Sequence, residues 1–250
     1  MDAEVNDPIL ITSGPNHHGI CNIIFNRSQK ANALNSELAL SFLQSIQSIP
    51  KSDCNAVIIQ GAGKNFCAGF DFEDCNTMTS GDIIDRFIAI EKSLQLLRKA
   101  PFVSIAVVQG AAFGAGADIV ASSTYRVGSD RARFRFPGFQ FGVALGTRHL
   151  AQLIGMQKAR QILLENSIVG CDEAFAIGLL THREQEGALL QKAEMLAGAT
   201  ASLAPFSIES ILGLTSHSDP NSDMAVLIQS LSRPGLHERI ARYRKASNVR

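Results

Sequence analysis

Two glycine-rich turns hold the residues best suited to chemistry. QGAGKNFCAGFDF (60–72) follows the apolar run AVII (56–59), and QGAAFGAGADIVA (109–121) follows SIAVV (104–108). Small residues just past a β-rich run let a ligand come close to backbone N–H groups. Two such turns converging on one carbonyl oxygen would stabilise the anion that develops there, and losing one donor of this kind typically costs about 3 kcal/mol. For either turn alone the alternative is structural: glycine and alanine simply let a helix pack closely on a sheet. GAAFGAG (110–116) does not give G-x-G-x-x-G in order, and G-x-x-x-x-G-K-[ST] does not occur. A dinucleotide or P-loop site is therefore not expected.

Other chemistry finds less support. Ser104 lies mid-strand and His17 and His18 lie in a turn, with no G-x-S-x-G elbow for a serine nucleophile. Cys67 borders the first turn, where a small buried cysteine packing behind the backbone is the expected state. The five cysteines include no C-x-x-C pair and no histidine at metal-ligand spacing, so reduced thiols and no metal are expected. Asp71, Glu73 and Asp74 crowd the first turn and read as turn and helix-start residues.

These groups need a scaffold, and its elements are visible in the pattern. ILITSG and CNIIFN flank PNHHG, whose proline, asparagine and glycine favour a turn, which predicts an opening hairpin. NSELALSFLQSIQSI carries apolar residues near helical spacing, with Asn35 or Ser36 as N-cap. NAVIIQGAG reads as a buried strand, DIIDRFIAIEKSLQLLRKA as a helix and FVSIAVVQG as another buried strand. Strand, glycine turn and helix in repeating order imply an α/β layered fold. From TRHLAQLIGMQKARQILLE onward most windows are helical, with YRVGSD and SIVG the convincing strand remnants, and GLTSHSDPNSD breaks the tail.

Bulk properties exclude several partner classes. A chain of 250 residues fits one large domain. Lys+Arg and Asp+Glu are 23 each, so no nucleic-acid footprint or basic membrane face is expected. The start MDAEVNDPIL lacks the features of a signal or transit peptide, which suggests a cytoplasmic protein. SIAVVQGAAFGAGADIVASS is broken by Gln109, glycines and Asp118, so no membrane span is expected.

NRSQKANALN (26–35), GAGKNFCAGFDF (61–72), VQGAAFGAGADIVASS (108–123) and IVGCDEAFAIGLLTH (168–182) together resemble the crotonase, or enoyl-CoA hydratase/isomerase, superfamily, over about residues 10 to 215. The resemblance implies an α/β spiral of ββα repeats, with residues 1–195 as the core and 196–250 as a C-terminal helical region used in trimerisation. It implies an acyl-CoA thioester as substrate, with coenzyme A carried as part of it and no separate cofactor, and a homotrimer or dimer of trimers. By position, the backbone N–H groups of Phe70 and Ala115 would receive the thioester oxygen. Asp118 would be the acid. Ala31, Ala33, Ala68 and Asp71 would line the coenzyme A path, mostly through the backbone, and Lys64 would face the phosphates as a point charge.

Two departures bear on the reaction. Family hydratases use two glutamates; here the first position is the shorter Asp118 and the second is Gly138, within FRFPGFQFG (134–142). Where many relatives carry a second lysine, this chain has Glu73. His149 at the start of the following helix is a candidate replacement proton donor, against the reading of an ordinary helix residue. Three functions stay open: hydration of a 2-enoyl-CoA; another enolate reaction, such as double-bond migration, thioester hydrolysis or decarboxylation; and a non-catalytic acyl-CoA-binding scaffold.

Overall fold

The β-branched runs of the first half assemble into a parallel sheet, as their unbroken apolar character requires. A computed structural model describes residues 9–16, 18–50, 53–215 and 220–247. The acidic start, His17 and the middle of GLTSHSDPNSD lie outside the described residues. In chain order the elements are β1 (Leu10–Ser13), β2 (Ile20–Phe25), α1 (Ser36–Ser48), β3 (Ala56–Gly61), α2 (Ser80–Arg98), β4 (Val103–Val108), β5 (Ala111–Phe113) and α3 (Ala115–Ala121). There follow β6 (Tyr125–Gly128), β7 (Arg133–Arg135), α4 (Thr147–Ile154), α5 (Met156–Glu165), β8 (Val169–Gly170), α6 (Cys171–Ala176) and β9 (His182–Arg183). The chain ends in α7 (Leu189–Ala201), α8 (Pro205–Leu214), α9 (Pro220–Leu231) and α10 (Leu236–Ser247).

The main sheet has the order β1-β2-β3-β4-β6-β9. The opening hairpin is antiparallel and the other neighbours are parallel, with Ile20 opposite Ala56 and Ala56 opposite Val103. A second, thinner layer runs beside it. Leu34 bridges Phe70, Cys67 bridges Ala112, and Ala112 lies opposite Phe134 in β7. Each repeat is thus a main-sheet strand, a short strand or bridge in the second layer, and a helix, which is the ββα spiral expected from the sequence. β5, β7 and β9 are two or three residues long and were not among the expected strands.

Both faces of the sheet are covered. Ile23, Val57, Ile59 and Val108 pack towards the main core with α1 and α2, while Ile58, Ile105, Val107 and Val127 meet Leu189, Ala193 and Ala197 of α7. Each large aliphatic side chain buried this way contributes about 1.5–3 kcal/mol. α7 runs without interruption through residue 195, so the division expected between 195 and 196 falls inside a helix packed on β3 and β4. Asn35 caps α1 as expected, its side chain accepting from the Leu38 N–H at 2.9 Å.

The loop before α1 is tied to the first glycine turn by one buried amide. Asn32 is wholly inaccessible and sits at φ +56, a left-handed conformation that asparagine tolerates better than most residues. Its side-chain oxygen accepts from the Arg27 N–H, and its nitrogen donates to the carbonyls of Ala62, Asn65 and Phe66. Gln109 adds a second amide to the same turn, donating to the Gly61, Gly63 and Asn65 carbonyls. Replacing Asn32 by Ala leaves the Arg27 N–H and the Ala62 and Phe66 carbonyls short of a partner in a dry setting, so Asn32→Ala should cost about 3 kcal/mol in urea denaturation. A loss below about 1 kcal/mol would show that the loop is held by other means.

Candidate active site

The two glycine turns meet backbone to backbone. Gly69 has φ +86, and a Cβ there would stand 2.4 Å from the Phe113 carbonyl oxygen and 3.2 Å from the Ala115 nitrogen. A Cβ on Gly116 would stand 2.2 Å from the Cys67 carbonyl oxygen. The N-terminus of α3 can therefore lie against residues 67–69 only because neither glycine carries a side chain. Cys67 is fully buried behind the turn, and burial pushes its thiol up to about 12 despite the Gly69 N–H, which makes it a packing group.

The ladder decides where the N–H of Phe70 points. Leu34 donates to the Gly69 carbonyl and accepts from the Asp71 N–H, so the polar groups of Phe70 face the other way. Among the described residues neither the Phe70 nor the Ala115 N–H has an acceptor. Both residues border one cleft of about 110 Å³, several times the roughly 10–15 Å³ that a single water needs. Two such donors at the rim of an apolar cleft are suited to a developing oxyanion.

The Phe70 side chain is held firmly. Its ring stacks on Phe87 at 4.3 Å and lies under the guanidinium of Arg86 at 4.7 Å. Arg86, itself buried, also donates to the Asp71 carbonyl and to Ser36 Oγ. Phe72, Phe141 and Tyr243 make mutual edge or tilted contacts around the same cleft. Tyr243 comes from α10, so the C-terminal region closes over the site. Phenylalanine is the commonest residue of its walls, which makes the cleft largely apolar.

Asp118 reaches this cleft from the first turn of α3, and is buried. Its carboxyl is raised well above the ordinary range, first by burial and then by the nearby Glu91 charge, with Arg98 pulling the other way. Glu91 and Arg98 form a buried ion pair at 3.1 Å that continues to Asp223 at 3.3 Å. A Cβ on Gly146 would stand 2.2 Å from Asp118 Oδ1, so the carboxylate rests directly on that glycine. Gly138 borders the cleft too, and any side chain there would begin 2.7 Å from the Val143 carbonyl. The backbone at 138 is therefore shaped for glycine, leaving Asp118 as the acid that borders the cleft among the described residues.

His149 does not border the cleft. Its Nε2 donates to the Ala121 carbonyl at 2.9 Å, and burial, with the Arg98 and Arg126 charges, pulls its pKa down to about 4 despite that bond. It is neutral in ordinary buffers and engaged elsewhere.

The residues expected along the coenzyme A path come together on the other side of the turn. Ala68 donates to the Ala31 carbonyl, and Arg27 binds both the Ala33 carbonyl and the Asp71 carboxylate. Burial opposes ionisation of Asp71, but the Glu73 N–H and the Arg27 guanidinium outweigh it and hold its pKa low. Its side chain is thus a latch between two loops. Lys64 is exposed on the adjoining turn. Glu73 is engaged by Lys30 at 2.7 Å, so a cation does stand beside it, supplied from the preceding loop. The buried groups Asn32, Arg86, Glu91 and Arg98 escaped the sequence reading, since each lies in an otherwise ordinary stretch.

Comparison with known proteins accords with this geometry. A model of the family described as enoyl-CoA hydratase/isomerase matches residues 16–229. The chain belongs to the enoyl-CoA hydratase/isomerase family. It is 31% identical over 211 residues to the short-chain-enoyl-CoA hydratase of Clostridium acetobutylicum, covering 82% of this chain and 79% of that protein. It is 29% identical over 220 residues to the mitochondrial Delta(3,5)-Delta(2,4)-dienoyl-CoA isomerase of Mus musculus, covering 81% and 67%. A crystal structure of a Bordetella parapertussis protein named for the same family superimposes with a TM-score of 0.91 at 30% identity, covering 95% and 98%. The chain is a crotonase-type acyl-CoA enzyme, and these relatives carry names of different reactions within the enoyl-CoA hydratase/isomerase family.

The raised Asp118 carboxyl predicts a pH signature. The unfolded aspartate loses its proton near pH 3.9, whereas the folded one holds it to higher pH. Its contribution is fully present below about pH 3.9 and is lost as pH rises towards the folded pKa. Subtracting the Tm-against-pH curve of Asp118→Asn from that of the wild type should leave a difference that falls from about pH 4 upward. Parallel curves would mean that Asp118 titrates as an ordinary exposed acid.

Proposed function

We propose that this enzyme hydrates a 2-enoyl-CoA to the 3-hydroxyacyl-CoA. The observation that carries the reading is the pair of unpaired N–H groups, Phe70 and Ala115, at the rim of the cleft that Asp118 enters. The thioester carbonyl oxygen accepts from both N–H groups, which draws electron density from the double bond and stabilises the enolate formed when water adds at C3. Asp118, ionised, takes the proton from that water as the C–O bond forms; its carboxylic acid then returns a proton to C2, and the enolate collapses to the neutral thioester. A carboxyl made less acidic by burial is, once ionised, a stronger base towards the attacking water, which suits it to the first half of this transfer. Ala31, Ala33 and Ala68 would present backbone along the pantetheine, with Lys64 near the phosphates.

Gly138 supports a second reading. With one acid in place of two, Asp118 can move a proton between two carbons of the acyl chain and shift a double bond, with no water added. The exposed apolar side chains of α8, Phe206, Ile211 and Leu214, favour burial against another subunit, in keeping with a trimer.

Two measurements test these statements. With purified protein, crotonyl-CoA should lose its conjugated absorbance and gain the mass of one water, and Asp118→Asn should lower kcat by about 100-fold or more with little change in KM. Retained kcat in that variant removes Asp118 from the mechanism, and a product of unchanged mass replaces hydration by isomerisation. Light scattering should give a mass near three times 26.9 kDa, and a monomer would rule out the trimer.

A further inference from the structure

The cleft that would receive the acyl chain contains a cation that neither the fold nor the proposed reaction uses. Strand alternation in β7 sends Phe134 into the core, fully buried, and leaves Arg133 and Arg135 on the opposite side. Arg133 is exposed, whereas Arg135 is half-buried and borders the cleft. Its Nε is oriented by Asn166, donating to the side-chain oxygen at 3.1 Å and to the carbonyl oxygen at 3.3 Å. Asn166 is itself set by the left-handed turn that ends α5, at φ +50.

The rest of the guanidinium is uncommitted. Among the described residues no carboxylate lies within ion-pair distance of Arg135, and its two terminal amino groups have no hydrogen-bond acceptor. Asp118 is not its counter-ion, since the charges acting on that carboxyl come from Glu91 and Arg98. The surrounding walls are apolar, including Pro137, Phe139 and Leu163. A hydrocarbon acyl chain filling this space would strip water from the guanidinium and offer it nothing. A carboxylate would accept from the terminal amino groups side by side, the geometry that arginine favours.

Resting on the acyl-CoA reading above, we propose that the substrate is a short acyl-CoA whose chain ends in a carboxylate, and that Arg135 is the residue that selects it. Asp118 and the two N–H groups act at the thioester end; Arg135 binds the far end. The group recognised is the carboxylate of the acyl chain, distinct from the phosphates of coenzyme A, which belong with the loops around Ala31 and Lys64.

Binding of saturated thioesters tests this without requiring turnover. By calorimetry, wild-type protein should bind glutaryl-CoA about tenfold or more tightly than pentanoyl-CoA, which has the same number of acyl carbons and no charge. Arg135→Met should bring that ratio close to one, and Arg135→Lys should keep part of it. Equal affinity for the two thioesters in the wild type overturns the proposal while leaving the acyl-CoA reading intact. A ratio that survives in Arg135→Met also overturns it. If free coenzyme A loses as much affinity in Arg135→Met as glutaryl-CoA does, the arginine serves the nucleotide and the proposal fails. Absence of binding by either thioester and by coenzyme A defeats the acyl-CoA reading itself and this inference with it.

Discussion

The site depends on two backbone segments lying closer than side chains allow. Gly69 and Gly116 face carbonyl oxygens at distances that a Cβ could not share, and Gly69 also needs a positive φ. Everything that follows rests on this contact. It sets Phe70 and Ala115 at the rim of one cleft, and it forces the first turn of α3, with Asp118, to enter the same cleft. Tight apposition of this kind carries little energy of its own, because dispersion between a few backbone atoms is small. Backbone hydrogen bonds hold it directly, Phe66 and Cys67 donating to the Ala111 carbonyl and Phe113 to the Cys67 carbonyl. Asn32 and Gln109 reinforce it, since their amide nitrogens hold the carbonyls of residues 61–66 against the neighbouring loop and strand.

Electrostatics then give the apolar cleft its chemistry. A carboxylate in water ionises far below neutral pH, and an acid of that strength is a poor proton donor to carbon. Burial of Asp118 among phenylalanines weakens its acidity, and the Glu91 charge behind it adds to the effect. Arg98 limits the shift, and is itself balanced by Glu91 and Asp223. The network therefore spans α2, α3 and α9, which makes the acidity of one side chain a property of three helices. A replacement at Asp223, outside the cleft, would act on the same carboxyl through Arg98.

Much of the scaffold was legible because its signals are local. Unbroken β-branched runs, a helical apolar pattern and the Asn35 cap identify β1 to β4, α1 and α2 from a few neighbouring residues each. The turns were legible through glycine, and their resemblance to a family's motifs pointed to Phe70, Ala115 and Asp118, which border one cleft. The remainder depends on long-range partners. β5, β7 and β9 exist only because a neighbouring strand lies beside them, and two or three residues have no periodicity to detect. Arg135 and Tyr243 enter the cleft from β7 and α10, more than a hundred residues apart, and nothing in either stretch announces that they share it. His149, a candidate donor weighed against an ordinary helix residue, turns its ring to the Ala121 carbonyl, a partner that local sequence does not reveal.

Gly138 ties these strands of argument together. Read as a lost acid, it implies a weakened enzyme. The geometry adds a constraint, for a Cβ at 138 would meet the Val143 carbonyl, so the segment 136–143 as it stands has no room for a side chain there. Phe139, Phe141 and Val143 of the same segment line the cleft that Asp118 borders. A narrow, apolar cleft raises the pKa of that carboxyl by excluding water. A glutamate placed at 138 would have to displace the Val143 carbonyl, so it would not add a second acid to an otherwise unchanged site.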